Sequence, residues 1–229
     1  MPKNEDLNDD ALATLEKKAD SLIAGKKKIL SSESVESKKF DDLQALLSEE
    51  QKVLRELREK IGTEFEGQTL VLCESSKSKV FLTSLAKIVL EKERKPALVL
   101  TTMNYHSALD LLNEAKVDSS KVWLLDTVSK NLMPVKEKGG LFFIDSLRDL
   151  TQLEIKIMQM IKTEGLCFVF DSMSVLALYH EDPVIYKFMY SLTKILHKYG
   201  VTAFYLLTDK RLLSHSNQFF DNIIEFGKE

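Results

Sequence analysis

The chain has 229 residues, 44% of them hydrophobic and 29% charged, with 8 glycines and 4 prolines, which is ordinary globular material long enough for one good core plus an appendage. Lys and Arg (32) nearly balance Asp and Glu (35) for a net charge of −3, so whole-chain charge gives no ground for a nucleic-acid partner. Cys73 and Cys167 each sit inside an apolar run, which suits reduced core thiols of an intracellular protein and not a disulfide scaffold. The opening "MPKNEDLNDD" is acidic and polar, and no apolar run approaches the ~20 residues that span a bilayer. Neither a signal peptide nor a membrane span is expected, and a cytoplasmic location is.

Residues 1–61 read as a helical extension, with one glycine, one proline and a dense mix of Lys, Glu, Asp and Leu that contains no strand-like run. Leu12, Leu15, Ala19 and Leu22 step by three and four, as do Leu43, Leu47, Glu50, Leu54, Leu57 and Ile61. Each set is a heptad-type seam, and "SSESVESKKFDD" between them is a polar break with capping serines. Two helices follow, as a hairpin or part of a coiled coil. Fewer than about four heptads do not decide whether they pack on their own domain or on another chain.

From residue 62 to 229 the pattern changes. Short apolar runs recur as "TLVLC" (69–73), "ALVLT" (97–101), "VWLLD" (122–126), "LFFID" (141–145), "LCFVFD" (166–171), "VTAFYLL" (201–207) and "NIIEF" (222–226), with helical periodicity over 79–91, 105–115, 149–162 and 184–199. Uninterrupted apolar strands alternating with helices predict a mostly parallel sheet covered on both faces, a three-layer α/β domain. Ligands of such sheets sit outside the carboxyl ends of the strands, where this chain places Glu74, Thr101, Asp126, Asp145 and Asp171.

The stretch "CESSKSKV" (73–80) follows the first strand and opens the first helix of that domain, the station of a phosphate-binding P-loop. That motif is G-x-x-x-x-G-K-[ST], because glycines let backbone N–H groups close around phosphate while the lysine and hydroxyl serve phosphate and Mg²⁺. Cys73 and Ser78 stand at the glycine positions and Val80 at the hydroxyl position, so Lys79 alone survives. Further on, "LCFVFDS" ends in Asp171 and has the form of a Walker B strand, whose carboxylate holds the water shell of Mg²⁺. The alternative for Asp171 is a residue that ends its strand and caps the turn into "SMSV".

In this order of elements, with "FIDS", "DLTQLEIKI", "VFDSMSVLALY" and "FFDNIIEF", residues 65–229 resemble the RecA/KaiC-like ATPase core, and particularly archaeal RecA-like proteins often grouped with signal transduction. The resemblance implies a RecA-like fold and a nucleotide site built from Ser78, Lys79 and Asp171. It also implies a glutamate after the second strand to activate water, where this chain has Thr101 and Thr102. Side chains in place of glycine obstruct backbone approach and strain positive φ by roughly 1–3 kcal/mol. Losing both glycines, the hydroxyl and the base removes the positioning and electrostatics on which phosphoryl transfer relies.

Other chemistry finds no pattern. His106, His180, His197 and His215 are scattered without metal-ligand spacing, and the serines of "DSMS" lack a nucleophile elbow. The reading that follows is a degenerate RecA/KaiC-like domain acting without catalysis as a regulatory or assembly protein, a pseudo-ATPase. Its expected partner is a protein, either an intact RecA/KaiC-like ATPase or a second copy, engaged through the seam of Leu12, Leu15, Leu22, Leu43, Leu47, Leu54 and Leu57. No cofactor and no metal are expected on this reading. ATP and Mg²⁺ enter only if the chain is instead a nucleotide-binding sensor or a divergent ATPase using Lys79 and Asp171.

Overall fold

The computed structural model describes residues 48–62, 64–131 and 135–226. From Val53 onward the chain forms one compact unit. Its seven strands are β1 (Gln68–Leu72), β2 (Lys95–Leu100), β3 (Trp123–Asp126), β4 (Leu141–Phe143), β5 (Leu166–Asp171), β6 (Thr202–Leu207) and β7 (Asn222–Glu225). They make one sheet in the order β4-β3-β2-β5-β6-β1-β7, and every pairing is parallel. The helices are α1 (Glu49–Ile61), α2 (Ser78–Glu91), α3 (Tyr105–Glu114), α4 (Leu150–Met160), α5 (Asp182–Lys198) and the single turn α6 (Leu213–Ser216). None is long and apolar enough to cross a membrane.

The expected apolar runs become strands because every other residue enters a different core. Val71, Leu98, Leu100, Leu124, Val169, Phe204 and Leu206 pack on one face with α2 and α3. Their neighbours Leu70, Leu72, Val99, Leu125, Phe168, Phe170 and Tyr205 pack on the other with α4 and α5. A strand sandwiched in this way is apolar through its middle, and β1, β5 and β6 are buried along their whole length with their polar residues Gln68, Thr69, Asp171 and Thr202 toward the ends. The three-layer α/β architecture expected from the sequence is thus the observed one.

The chain winds from β1 to β4 with helices on the first face, then returns through β5 and β6 with helices on the second. The reversal opens the crevice at the carboxyl ends of β1 and β5. At the opposite end, Gly67 precedes β1 at φ +77°, and a Cβ there would meet the Asp221 carboxylate at 2.3 Å. That carboxylate accepts from the Gln68 N–H at 2.7 Å, so only glycine lets the two chain segments close up where β7 joins β1.

The part of α1 from Val53 onward belongs to this domain. Leu57 is fully buried and Val53 nearly so, with Leu54 and Ile61 half-buried against the same apolar cluster as α2. Lys60 donates to the Glu225 carbonyl at 2.7 Å and lies over the Phe226 ring, holding this end of α1 to the outer strand β7. Leu54 and Leu57 therefore have cover on their own domain, while Leu12, Leu15, Leu22, Leu43 and Leu47 lie outside the described residues. Truncating a fully buried leucine removes its transfer energy and leaves a cavity, so Leu57→Ala should lower stability by about 2–5 kcal/mol in urea unfolding. A loss below about 0.5 kcal/mol, the size of a surface substitution, would contradict this packing.

Candidate functional site

The loop from β1 to α2 leaves the sheet at Cys73, whose N–H bonds the Leu207 carbonyl of β6 at 3.0 Å. Glu74 is extended, and Ser75–Lys77 then turn once as a 3₁₀ helix that feeds directly into α2. The Lys77 N–H donates to the Glu74 carbonyl, the Ser78 N–H to the Ser75 carbonyl, and the Ser78 hydroxyl also to Ser75 at 3.1 Å. No residue from Cys73 to Val80 has a positive φ. A phosphate cradle is a concavity of successive N–H groups made by alternating right- and left-handed backbone. Here the chain takes the short path, and two of the N–H groups close a local turn.

Lys79 stands exposed on the first turn of α2, and Asp171 is completely buried at the end of β5. Thr101 and Thr102, which follow β2, stitch the two strand ends together. The Thr101 N–H donates to the Asp171 carbonyl at 2.8 Å, its hydroxyl bonds the same carbonyl, and the Ser172 N–H donates to that hydroxyl at 2.7 Å. The peptide between Asp171 and Ser172 is cis. Thr102 donates its hydroxyl to Asp171 Oδ2. Asp171 Oδ1 has no hydrogen-bonding partner among the described residues.

Burial pushes the Asp171 carboxyl above its ordinary value, against the opposing pull of the Thr102 hydroxyl and the Lys79 charge. The same environment pushes the Cys73 thiol up to about 12, through burial first and then the negative fields of Asp171 and Glu74. The Thr102 hydroxyl thus touches Asp171, the Lys79 charge acts on Asp171, and the Asp171 field acts on Cys73. Thr102 and Cys73 were legible in the sequence only as the residues standing where a base and a glycine were expected.

Asp171 does not cap the following turn. Ser172 does, accepting from the Ser174 N–H at 3.3 Å, and Ser174 in turn accepts from the N–H groups of Thr208 and Asp209. The serines of "DSMS" therefore tie the end of β5 to the end of β6. Two other strand-end acids are structural and lie apart from this cluster. Asp126 is buried and accepts from the N–H groups of Tyr105, Val128 and Ser129 and from the Ser129 hydroxyl, fixing the start of α3 to the end of β3. Asp145 is held ionised by hydrogen bonds from Lys130 and Gln152. Among the histidines, His180 bonds the Leu147 carbonyl and His215 stacks on Tyr186.

No family model and no curated protein matches the chain. Solved structures do. The uncharacterized protein PH0321 from Pyrococcus horikoshii, determined in complex with an unknown peptide, superposes with a TM-score of 0.54 at 16% identity over 76% of this chain and 83% of its own. The KaiC-like protein PH0186 from the hyperthermophilic archaeon Pyrococcus horikoshii OT3 superposes with a TM-score of 0.52, again at 16% identity, over 73% of this chain and 75% of its own. The likeness is one of fold: the chain from Val53 onward has a KaiC/RecA-like α/β fold.

Two outcomes test this geometry. Because the folded-state value of Asp171 is raised, the folded protein holds that proton more tightly than the unfolded chain. The stability so gained is full below the ordinary value of 3.8 and is lost as pH rises through the higher folded value. Asp171→Asn should therefore melt no lower than the parent at pH 7, and any advantage should shrink as pH falls toward the ordinary value of 3.8. A variant less stable at pH 7 and equal at pH 4 reverses the sign and rejects the account. Cys73 and the fully buried Cys167, both pushed up to about 12, should resist an aromatic disulfide reagent until the protein unfolds. Labelling of either thiol at the rate of a free thiol in the native state would refute that.

Proposed function

We propose that the chain is a RecA/KaiC-like pseudo-ATPase, a non-catalytic regulatory or assembly protein that acts by binding another protein. The observation that carries this reading is the β1–α2 junction. Its residues close into a 3₁₀ turn without a left-handed position, and the Lys77 and Ser78 N–H groups are committed to that turn. The residues present do not fit Mg²⁺-nucleotide, since Val80 supplies no hydroxyl and the Thr102 hydroxyl occupies one carboxylate oxygen of Asp171. Thr101, at the second strand's end, spends its hydroxyl on the main chain of Asp171 and Ser172.

The partner reading draws on exposed apolar side chains beside the crevice. Leu178 is 77% exposed, and Tyr179 and Val184 are close to half exposed, on the segment leading from β5 into α5. A solvent-exposed leucine in such company suits a contact surface. PH0321, of the same fold, was solved with a peptide bound. The partner is a protein, an intact RecA/KaiC-like ATPase or a second copy of the chain, and the cytoplasm is its expected location.

One observation favours a second reading. Asp171 Oδ1 is buried without a partner among the described residues and feels the Lys79 charge, as an acidic group kept for a nucleotide-bound cation would. On that reading the chain is a nucleotide sensor or divergent ATPase working through Lys79 and Asp171.

Calorimetry with Mg-ATP separates the two. The pseudo-ATPase should show no saturable heat tighter than about 1 mM and release no phosphate. A low-micromolar constant lost in Lys79→Ala would overturn it, and phosphate release would make the chain an enzyme. The interaction arm is tested by affinity capture from the native cell with Leu178→Asp as control. The exposed substitution should leave the unfolding free energy within about 0.5 kcal/mol of the parent and lose the captured protein; equal capture by the variant would remove this surface from the proposal.

A further inference from the structure

A cavity of about 240 Å³ lies between the second half of α5 and the segment that leads into β7, at the amino end of β1. Tyr190, Lys194 and His197 step along α5 by four and three, so they stand on one face of the helix, and all three line the cavity. Phe219 and Asp221 line it from the segment before β7, and Gln68, the buried first residue of β1, lines it from the sheet. These groups share the α5 face of the sheet. Tyr205, whose ring belongs to the core under α5, donates its hydroxyl to Gln68 Oε1 at 2.7 Å, and Phe219 packs on that same core.

Direct contacts join these walls. The rings of Tyr190 and Phe219 lie 5.5 Å apart, and Tyr190 is half exposed, so the pair offers an open aromatic surface. The Lys194 ammonium lies over the Tyr190 ring, 5.6 Å from its centroid. Gln68 is held at three points: by the Tyr205 hydroxyl, by its own Nε2 on the Val201 carbonyl at 2.7 Å, and by its N–H on Asp221 Oδ2 at 2.7 Å. Asp221 is thereby fixed through one oxygen, and its Oδ1 accepts nothing among the described residues. Lys194 and Asp221 carry opposite charges and line one cavity, yet neither makes an ion pair among the described residues.

We propose that this cavity binds a free α-amino acid with an apolar side chain, its ammonium at Asp221, its carboxylate at Lys194 with His197 beside it, and its side chain on Tyr190 and Phe219. Opposite charges that line one cavity without meeting are satisfied together by a ligand that carries both, whereas a simple anion would face Asp221 and a simple cation would face Lys194. The volume falls below the roughly 300–1,000 Å³ of drug-sized sites, which suits a molecule this small. Gln68 and Asp221 are already fixed by their hydrogen bonds, so binding orders little beyond the exposed Lys194 side chain. The site lies at the amino end of the strands and is independent of whether the β1–α2 junction binds nucleotide.

Calorimetric titration of the full chain with L-leucine should give a saturable heat. Leucinamide keeps the ammonium without the carboxylate, N-acetyl-leucine keeps the carboxylate without the ammonium, and glycine keeps both charges without the side chain. Each should bind about tenfold more weakly or worse, a difference of about 1.4 kcal/mol. Lys194→Met retains the apolar stem at an exposed position, and Asp221→Asn retains an oxygen for the Gln68 N–H. Both variants should melt close to the parent and lose leucine affinity by a similar factor, and Lys194→Met should no longer distinguish leucine from leucinamide. Lys79→Ala should bind leucine as the parent does. A linear heat with leucine overturns the proposal. So does equal affinity for the amide or the N-acetyl compound, or an affinity that follows Lys79 and not Lys194 and Asp221.

Discussion

The central strands are covered on both faces, and that constraint decides where a polar side chain can stand. Along β1, β5 and β6 every residue is buried, with alternate side chains entering the two separate cores. A carboxylate or hydroxyl in mid-strand would lose its water without a compensating partner, at a cost of several kcal/mol. Polar groups are therefore driven to the strand ends. The carboxyl end collects Thr101, Thr102, Asp126, Asp171 and Ser172, and the amino end collects Gln68, Arg94, Lys95 and Asp221.

Asp126 and Asp171 show how differently the same rule can be met. Both are acids at the end of a buried strand and both are inaccessible. Asp126 receives four hydrogen bonds, three of them from main-chain N–H groups, and serves as the knot between β3 and α3. Asp171 receives one, from Thr102, and its other oxygen is left without a partner among the described residues. A carboxylate so poorly solvated resists ionisation, and Lys79 on the first turn of α2 offsets only part of that cost. Groups held at such an energetic disadvantage cluster at functional sites, which is what marks Asp171 and not Asp126 as the candidate. Thr101, just past β2, ties the main chain at the ends of β2 and β5 together.

The fold was largely legible in the sequence because its signal is repetitive. Seven apolar runs and four periodic stretches each matched an element to within a few residues, since a strand buried on both sides and an amphipathic helix leave unmistakable periods. The site was legible only in its stations. Lys79 and Asp171 could be placed at the crevice from the order of elements, but the loop between them depends on backbone dihedrals that no side-chain pattern records. That Ser172 and not Asp171 caps the turn follows from which oxygen reaches Ser174. The inward face of α1 was read as a seam. Val53, which joins Leu57 in the core, fell outside that seam because a helix of 13 residues presents nearly the same stripe to a domain as to a partner helix.

The central claim is that the β1–α2 junction has closed on itself and no longer offers its N–H groups to a phosphate. Amide chemical shifts of residues 73–80 read this directly when excess Mg-ATP is added to isotope-labelled protein. The account predicts that the Lys77, Ser78 and Lys79 amide resonances stay where they are, with the Lys77 and Ser78 protons still committed to Glu74 and Ser75. Large, saturable shifts confined to those amides would show the turn opening around phosphate and would contradict it.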